Sequence, residues 1–383
     1  MLGCFFFVSR SIDDELAFMI SLALHELHEG LNARFTEVNG CEAVNDYGDW
    51  LLEHAALRDA AGALDLSFRG RICLTGADRV RLLNGQVTNN VKDLRPGEGC
   101  YAALVTAKGK LQSDLNIASL PNELLLDFEP GLTEAISQRL EKYIIADDVQ
   151  VVDAGAPYGL LSAQGPKAEW VIRSLGLPLE IPGKTMNFTS ANDATLGEIY
   201  LMNQPRLGST GFDLFVPTPS LGAVFDKLIA AARATGGRAC GWRALEAARI
   251  EAGIPRFGAD MDESNLAPEA GLEGRAISYS KGCYIGQEVI ARVRTYGQVA
   301  KSLRGLRLAD ELKELPVRGD KLFHDGKEMG YVTSALASPA LKANIALGYV
   351  RKEANQLGAS LTLRSATGES AVKIVELPFR IGT

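Results

Sequence analysis

The sequence predicts an α+β protein that ends in a small β-barrel. Three observations lead there. Strands and helices mix without the steady βαβ alternation of a parallel wind. From about Ser302 the texture changes to short strands with frequent turns and no helix of any length, the pattern of a small barrel. The chain has 383 residues, 46% of them apolar, which at roughly 150 residues per domain gives two or three domains with cores of their own.

The elements follow in order. Residues 1–24 read as an N-terminal tail. Its apolar run at 4–8 is short, and Asp13, Asp14 and Glu15 follow closely, unlike a signal peptide or a mitochondrial presequence. Residues 49–63 carry Leu52, Ala55, Ala56 and Ala60 at helical spacing, with Gly62 near the end. Residues 65–74 alternate as a strand, and 79–83 form a short helix. A strand at 160–163, the Gly165-Pro166 turn and a helix at 168–175 repeat that unit, which hints at an internal duplication. Between the two copies, strands at 100–105 and 109–118 pair around Lys108-Gly109. A strand at 124–128 and a helix at 132–143 follow. Residues 212–216 form a strand stopped by Pro217 and Pro219. Ser220 then caps a helix with Leu221, Val224, Leu228 and Ala231 on one face. A second helix, 242–252, closes on Gly253. Six strand candidates follow from Leu303 to Val375, with Asp325-Gly326 as a hairpin signal and Thr367-Gly368 as a looser turn.

Composition excludes several function classes. Forty basic against 47 acidic residues leave a net charge of −7, which argues against a generalised nucleic-acid or membrane-surface binder. No window approaches 18 uncharged apolar residues, so no membrane span is expected. The six cysteines are scattered without a C-x-x-C pair, which fits a reducing, cytoplasmic setting. His25 and His28 lie three apart but lack a third ligand nearby, so they are assigned to a solvent-facing helix and no metal site is expected. Neither a G-x-G-x-x-G nor a P-loop occurs.

The most unusual segment is Lys281-Gly282-Cys283-Tyr284-Ile285-Gly286-Gln287-Glu288. Its glycines permit turns or close approach to a ligand. Lys281 beside Cys283, and a helix starting after Gly286, would favour a thiolate. On spacing alone, a structural turn with a half-buried thiol stands as the alternative. The stretch from Arg275 to Arg307 holds seven basic residues and one acidic residue, Glu288. This local positive zone suits an anionic small-molecule ligand, an acidic protein partner or RNA phosphate.

The octapeptide, followed by Arg292, resembles the signature of the folate-binding YgfZ-type proteins within the glycine cleavage T-protein (aminomethyltransferase) superfamily. The segments EHAALRDAAGALDLS, LTGADRVRLLNGQVTNNV, LRPGEGCYAALVTAKGKLQSDL, GSTGFDLFVP and ARIEAGIPRFGADMDESNLAPEAGL resemble that superfamily in succession, from about residue 25 onward. The resemblance implies a two-lobed folate-binding body over 25–298, with lobes of about 25–155 and 156–298. A barrel over 299–383 completes it, and the parts surround a central cavity for tetrahydrofolate or a one-carbon derivative. It places Asp213 as the carboxylate for the pterin edge and Asp114 at the catalytic aspartate. Asn89, Asn90, Tyr101 and Arg249 are assigned to folate binding, and Cys283 to a chemical role. It also exposes departures. Ser113 replaces the first acid of the T-protein "DD" pair, Thr88-Asn89-Asn90 replaces "TND", and Leu245 stands where the T-protein has an arginine. The expected function is therefore a monomeric folate binder serving iron–sulfur cluster assembly or maintenance, with client or assembly proteins as partners. Aminomethyl transfer to tetrahydrofolate is the alternative.

Overall fold

The computed structural model describes residues 19–297 and 299–380. The apolar run at 4–8, and most of the expected tail, lie outside the described residues. The chain opens with α1 (His25–Gly30) and the hairpin β1 (Arg34–Val38)–β2 (Cys41–Asp46). Asn39 and Gly40 turn that hairpin at φ 50 and 79, the left-handed conformations a two-residue turn requires. Next come α2 (Trp50–Asp59), β3 (Gly62–Asp65), β4 (Gly70–Thr75) and α3 (Arg79–Asn84). β5 (Gly99–Val105), β6 (Leu111–Ser119), β7 (Leu124–Phe128), α4 (Thr133–Glu141) and β8 (Gln150–Asp153) follow. β9 (Tyr158–Gln164) and α5 (Ala168–Arg173) lead into β10 (Phe188–Asp193), β11 (Gly197–Asn203) and β12 (Gly211–Pro217). The body ends with α6 (Leu221–Ala234), β13 (Arg238–Ala239), α7 (Trp242–Glu251), α8 (Glu273–Ala276) and α9 (Gln287–Tyr296).

Two sheets organise the body. One has strand order β10-β11-β12-β9-β3-β13, the other β5-β6-β7-β4-β8. They pack face to face, with Leu64, Leu160 and Phe215 of the first meeting Ala118 and Leu125 of the second. The outer face of the first sheet is covered by α5 and α6, through Val171, Val224, Phe225 and Leu228. That of the second is covered by α3 and α4, through Leu82, Leu83, Ile136 and Leu140. The central strands are therefore buried on both faces, and β7 and β12 read as apolar runs with acids set into them. β14 (Lys301–Leu308), β15 (Lys321–His324), β16 (Lys327–Ser338), β17 (Ala343–Arg351), β18 (Ser360–Ser365) and β19 (Gly368–Val375) close the C-terminal barrel. The fold is α+β with a six-stranded barrel.

Several local expectations need correction. The helix expected over 49–63 ends at Asp59, because Ala60 leaves helical geometry and Gly62 enters β3 opposite Gln164. The strand expected over 65–74 is two strands, split where the Arg69 N–H donates to the Leu66 carbonyl. Ser220 occupies the helix start, but its side chain makes no capping bond, because a 3₁₀ turn over Thr218–Ser220 precedes it. His28 is not solvent-facing. It is fully buried, with Nε2 2.9 Å from Asp65 and Nδ1 accepting from Tyr47 at 2.9 Å, because its helix face packs against Phe225. The two strand–turn–helix units both form, as β4–α3 and β9–α5, each turned by a positive-φ glycine, Gly76 or Gly165.

Phe128 lies over Gly70 across the β4–β7 pair and is wholly shielded from solvent. Phe128→Ala should destabilise the body by about 3–5 kcal/mol, the usual cost of an aromatic cavity, as measured by urea denaturation.

Candidate functional site

The inter-sheet space is apolar at one end and polar at the other. Along β6 and β7, Leu115, Ile117, Leu124 and Leu126 turn to the covering helices, so Asp114, Asn116 and Asp127 turn to the facing sheet. Ser162 and Asp213 approach from β9 and β12. Charges brought there must be paired, because each loses its water. They form one chain of alternating sign. Arg206 binds Asp213 at 2.6 Å and Asp127 at 2.9 Å. Arg69 binds Asp127 at 2.7 Å and Glu129 at 2.6 Å. Arg256 links Glu129 at 3.3 Å to Glu246 at 3.0 Å. Arg249 then links Glu246 to Asp260, which accepts hydrogen bonds from Thr333 and Ser334 of β16 at 2.6 and 2.7 Å. The chain thus runs from the first sheet through the second and α7 into the barrel.

Beside it opens a cavity of about 1000 Å³. Its walls include Asp114, Tyr101 and Asn89, the loop after β11 with Gln204 and Arg206, and α7 with Leu245 and Arg249. Ala340 and Leu341 of the barrel complete them. Phe68 and Trp242 meet edge to face at 5.5 Å on its apolar side. Two acceptors on this wall lack a hydrogen bond although they are shut off from solvent, Asp114 Oδ1 and Gln204 Oε1. Orphaned buried acceptors are rare in folded proteins, and on a cavity wall they are candidate partners for a ligand's donors. Asp114 Oδ2 accepts from Tyr101 Oη at 2.8 Å. Burial and the nearby Glu129 charge push the Asp114 carboxyl up to about 6, against the opposing Tyr101 bond. Burial also disfavours the charge on Asp127, but Arg69 and Arg206 outweigh it and hold that carboxyl well below the usual range.

The expected site residues separate into groups. Asp114, Tyr101, Asn89 and Arg249 lie on the cavity wall. Asp213 faces the inter-sheet space, as its alternation with Phe212 and Leu214 required, but it does not reach the cavity. Arg206 stands between, and Ser162 Oγ donates to Asp213 at 2.7 Å, so both carboxylate oxygens are engaged. The expectation that Asp213 lines the cavity is corrected on that ground. Asn90 also lies off the wall, with its side chain donating to Asp93. Leu245 makes its position apolar. Arg249 is one helical turn further on, but Glu246, Asp260 and Ser334 hold its guanidinium. Arg243 stacks on Trp50 instead.

The octapeptide forms a strap outside the cavity. Gly286 takes φ 84 and α9 begins at Gln287, as expected. Cys283 is exposed next to Gly282 on the strap, and Gln287, Glu288 and Arg292 lie on the first turns of α9. Lys281 does not serve the thiol. It is buried, and its ammonium donates to the carbonyls of Asn84, Val87 and Asn89. The basic zone is dispersed in the same way, with Arg275 over the Tyr101 ring and Arg294 over Tyr279. The sequence reading missed the ion chain. Its signal was acids in otherwise apolar strands, LLLDFE and FDLFV, with arginines in the loops between them.

Among the described residues, no group of three His, Cys, Asp or Glu side chains is placed to hold a metal ion, and no helix is long and apolar enough to cross a membrane. The GCVT N-terminal domain family matches residues 24–281, and the glycine cleavage T-protein C-terminal barrel domain matches residues 301–380. An aminomethyltransferase of Halalkalibacterium halodurans is 29% identical over 346 residues, covering 88% of this chain and 93% of that protein. One of Corynebacterium jeikeium is 30% identical over 388 residues, covering 93% and 97%. The crystal structure of the glycine cleavage system aminomethyltransferase T from Bartonella henselae superposes with a TM-score of 0.84 at 25% identity, covering 94% of this chain and 98% of that one.

The ion chain predicts a contrast between two arginines. Arg206→Met leaves the buried Asp213 without a cationic partner, while Asp127 keeps Arg69, and should cost about 3–5 kcal/mol in urea denaturation. Arg81→Ala, which removes an exposed pair with Asp147, should cost less than about 1 kcal/mol.

Proposed function

This chain belongs to the glycine cleavage T-protein family, and on that premise we propose that it binds tetrahydrofolate in the inter-sheet cavity and acts on a one-carbon unit there. The observation that carries the reading is the pair of orphaned acceptors, Asp114 Oδ1 and Gln204 Oε1, on the wall of one large cavity. A pterin is flat and carries N–H donors along one edge. It suits acceptors beside an aromatic and aliphatic wall, here Phe68, Trp242 and Leu245.

When bound, tetrahydrofolate supplies the nitrogens that take up a one-carbon unit. The protein's part is to bind, orient and move a proton. Tyr101 fixes Asp114 through Oδ2 and leaves Oδ1 without a partner on a residue of the cavity wall. A carboxyl held at about 6 exchanges a proton near neutral pH, the property a general acid or base needs. The apolar wall keeps water from competing for that proton. The aminomethyltransferases to which this chain is similar favour aminomethyl transfer as the reaction, ahead of the iron–sulfur role expected from the octapeptide. Leu245 bears on its rate, since an apolar group there supplies no charge stabilisation.

The iron–sulfur role is the second reading. It is favoured by one observation: Cys283 is exposed on the octapeptide strap, outside the cavity, where a protein partner reaches it. An aminomethyl-transfer assay with a lipoyl carrier protein separates the two. Turnover that survives Cys283→Ser supports transfer. Absent turnover, with Cys283→Ser abolishing cluster-enzyme activity in cells while folate affinity holds, supports the second reading.

Asp114 gives a pH test. Binding needs the ionised carboxylate as acceptor, so protonation opposes it. Affinity for tetrahydrofolate should be flat around neutral pH and fall as pH drops through about 6. Asp114→Asn should lose about tenfold or more in affinity and lack this acid limb, as read by calorimetry across pH.

A further inference from the structure

The octapeptide strap is laced to the cavity wall. The loop between α3 and β5 starts at Asn84 and passes through Asn89, which lines the cavity. Hydrogen bonds fix this loop to the strap and to the residues just before it. Ser278 N–H donates to the Thr88 carbonyl at 3.0 Å, and Ile285 N–H donates to the Gly85 carbonyl at 3.0 Å. Thr88 Oγ1 donates to the Ala276 carbonyl at 2.6 Å. The strap also meets the β5–β6 turn. A Cβ on Gly286 would lie 2.5 Å from the Thr106 carbonyl oxygen, so the two backbones touch there.

At the centre is Lys281. Its Nζ donates to the carbonyls of Asn84 and Val87 at 2.7 Å and of Asn89 at 2.6 Å. An ammonium has three N–H groups, and here each has one carbonyl. Those carbonyls lie at the C-terminal end of α3 and in the loop after it, where no regular structure satisfies them. From Asn89 the path continues inward. Asn89 Nδ2 donates to the Tyr101 carbonyl at 2.8 Å, and Tyr101 Oη donates to Asp114.

We propose that Lys281 is a positioning residue for the cavity wall: its ammonium holds the 84–89 loop in shape, and through Asn89 and Tyr101 it aims Asp114 into the cavity. Lys281 does not line the cavity, so it acts through the loop and not on a ligand. This assigns the conspicuous lysine of the octapeptide a task separate from that of Cys283. It rests on the reading of the cavity as a tetrahydrofolate site.

Burial pushes the Lys281 ammonium down to about 8, with the neighbouring Cys100 thiol opposing the shift. The three carbonyls keep it charged at neutral pH. The groups facing it are Cys100 from β5, which burial holds up at about 12, and the Tyr284 ring, centred 5.0 Å away. Cys100 therefore stays neutral over the range in which Lys281 titrates.

The test uses the full chain and two readouts. Tetrahydrofolate affinity is measured by calorimetry from about pH 7 to about pH 10, and amide exchange of residues 84–90 is compared with that of the barrel. The wild type should lose affinity and loop protection together above about pH 8, with barrel protection unchanged. Lys281→Met should lose about tenfold or more in affinity at neutral pH, lose loop protection and show no further alkaline limb. In Lys281→Ala the vacated carbonyl cage should accept ammonium ion, which restores loop protection, while tetramethylammonium, having no N–H, does not. Wild-type-like affinity and loop protection in Lys281→Met overturn the proposal. If Lys281→Met does not fold, an alkaline titration of the wild type that leaves the loop unchanged overturns it equally. Absence of tetrahydrofolate binding by the wild type would instead contradict the cavity reading, and loop exchange would still report on Lys281.

Discussion

Nine charged side chains, from Asp213 through Arg206, Asp127, Arg69, Glu129, Arg256, Glu246 and Arg249 to Asp260, pass between two sheets and end on the barrel. Each is an acceptable buried charge only because the next has the opposite sign. Taking a carboxylate or guanidinium out of water costs several kcal/mol, and good pair geometry is what offsets it. The chain therefore binds all its members to one arrangement, which sets the separation of the sheets at this end and docks the barrel through Thr333 and Ser334. At the other end of the same sandwich, Leu64, Leu160 and Phe215 close the gap with apolar packing. A polar end that cannot collapse and an apolar end that does leave a cavity between them.

The series begins and ends on a carboxylate, so it carries one acid in excess. That surplus has a local effect. Burial raises the Asp114 carboxyl, and Glu129, although shared between Arg69 and Arg256, raises it further. Asp114, kept outside the chain, thus titrates at about 6 and has an oxygen to spare. Structure and chemistry are linked here through electrostatics: the residues that hold the cavity open also tune the group that faces into it.

Much of the architecture was legible in the sequence. Short strands with Asp-Gly and Thr-Gly turns gave the barrel, and Gly253 marked a helix end because a left-handed terminus favours glycine. The hairpin at Asn39-Gly40 carried an equally clear signal and went unread. β7 and β12 are buried on both faces, so alternation is masked, yet each reads as one apolar run and its limits were legible to within a residue. The strand expected over 65–74 was harder, because nothing in its alternation shows the turn between Leu66 and Arg69. The site was half legible. Asp114 could be placed by resemblance, and alternation gave the correct face for Asp213. Pairing across strands remote in sequence could not be read. Nothing local shows that Arg206 covers Asp213, or that Lys281 turns from Cys283 to three carbonyls of a loop nearly 200 residues earlier. Both outcomes follow from what burial demands of a charge, and only the assembled fold shows which partners are within reach.

The central claim is that the cavity between the sheets holds a folate against Asp114 and Gln204. A crystal structure of the full chain grown with tetrahydrofolate tests it most directly. The account predicts one molecule per chain between the sheets. Its ring donors should lie within hydrogen-bond distance of Asp114 Oδ1 and Gln204 Oε1, with the Arg206–Asp213 pair intact. An empty cavity at saturating ligand, or a ligand that displaces Arg206 to reach Asp213 and leaves Asp114 unmet, would contradict it.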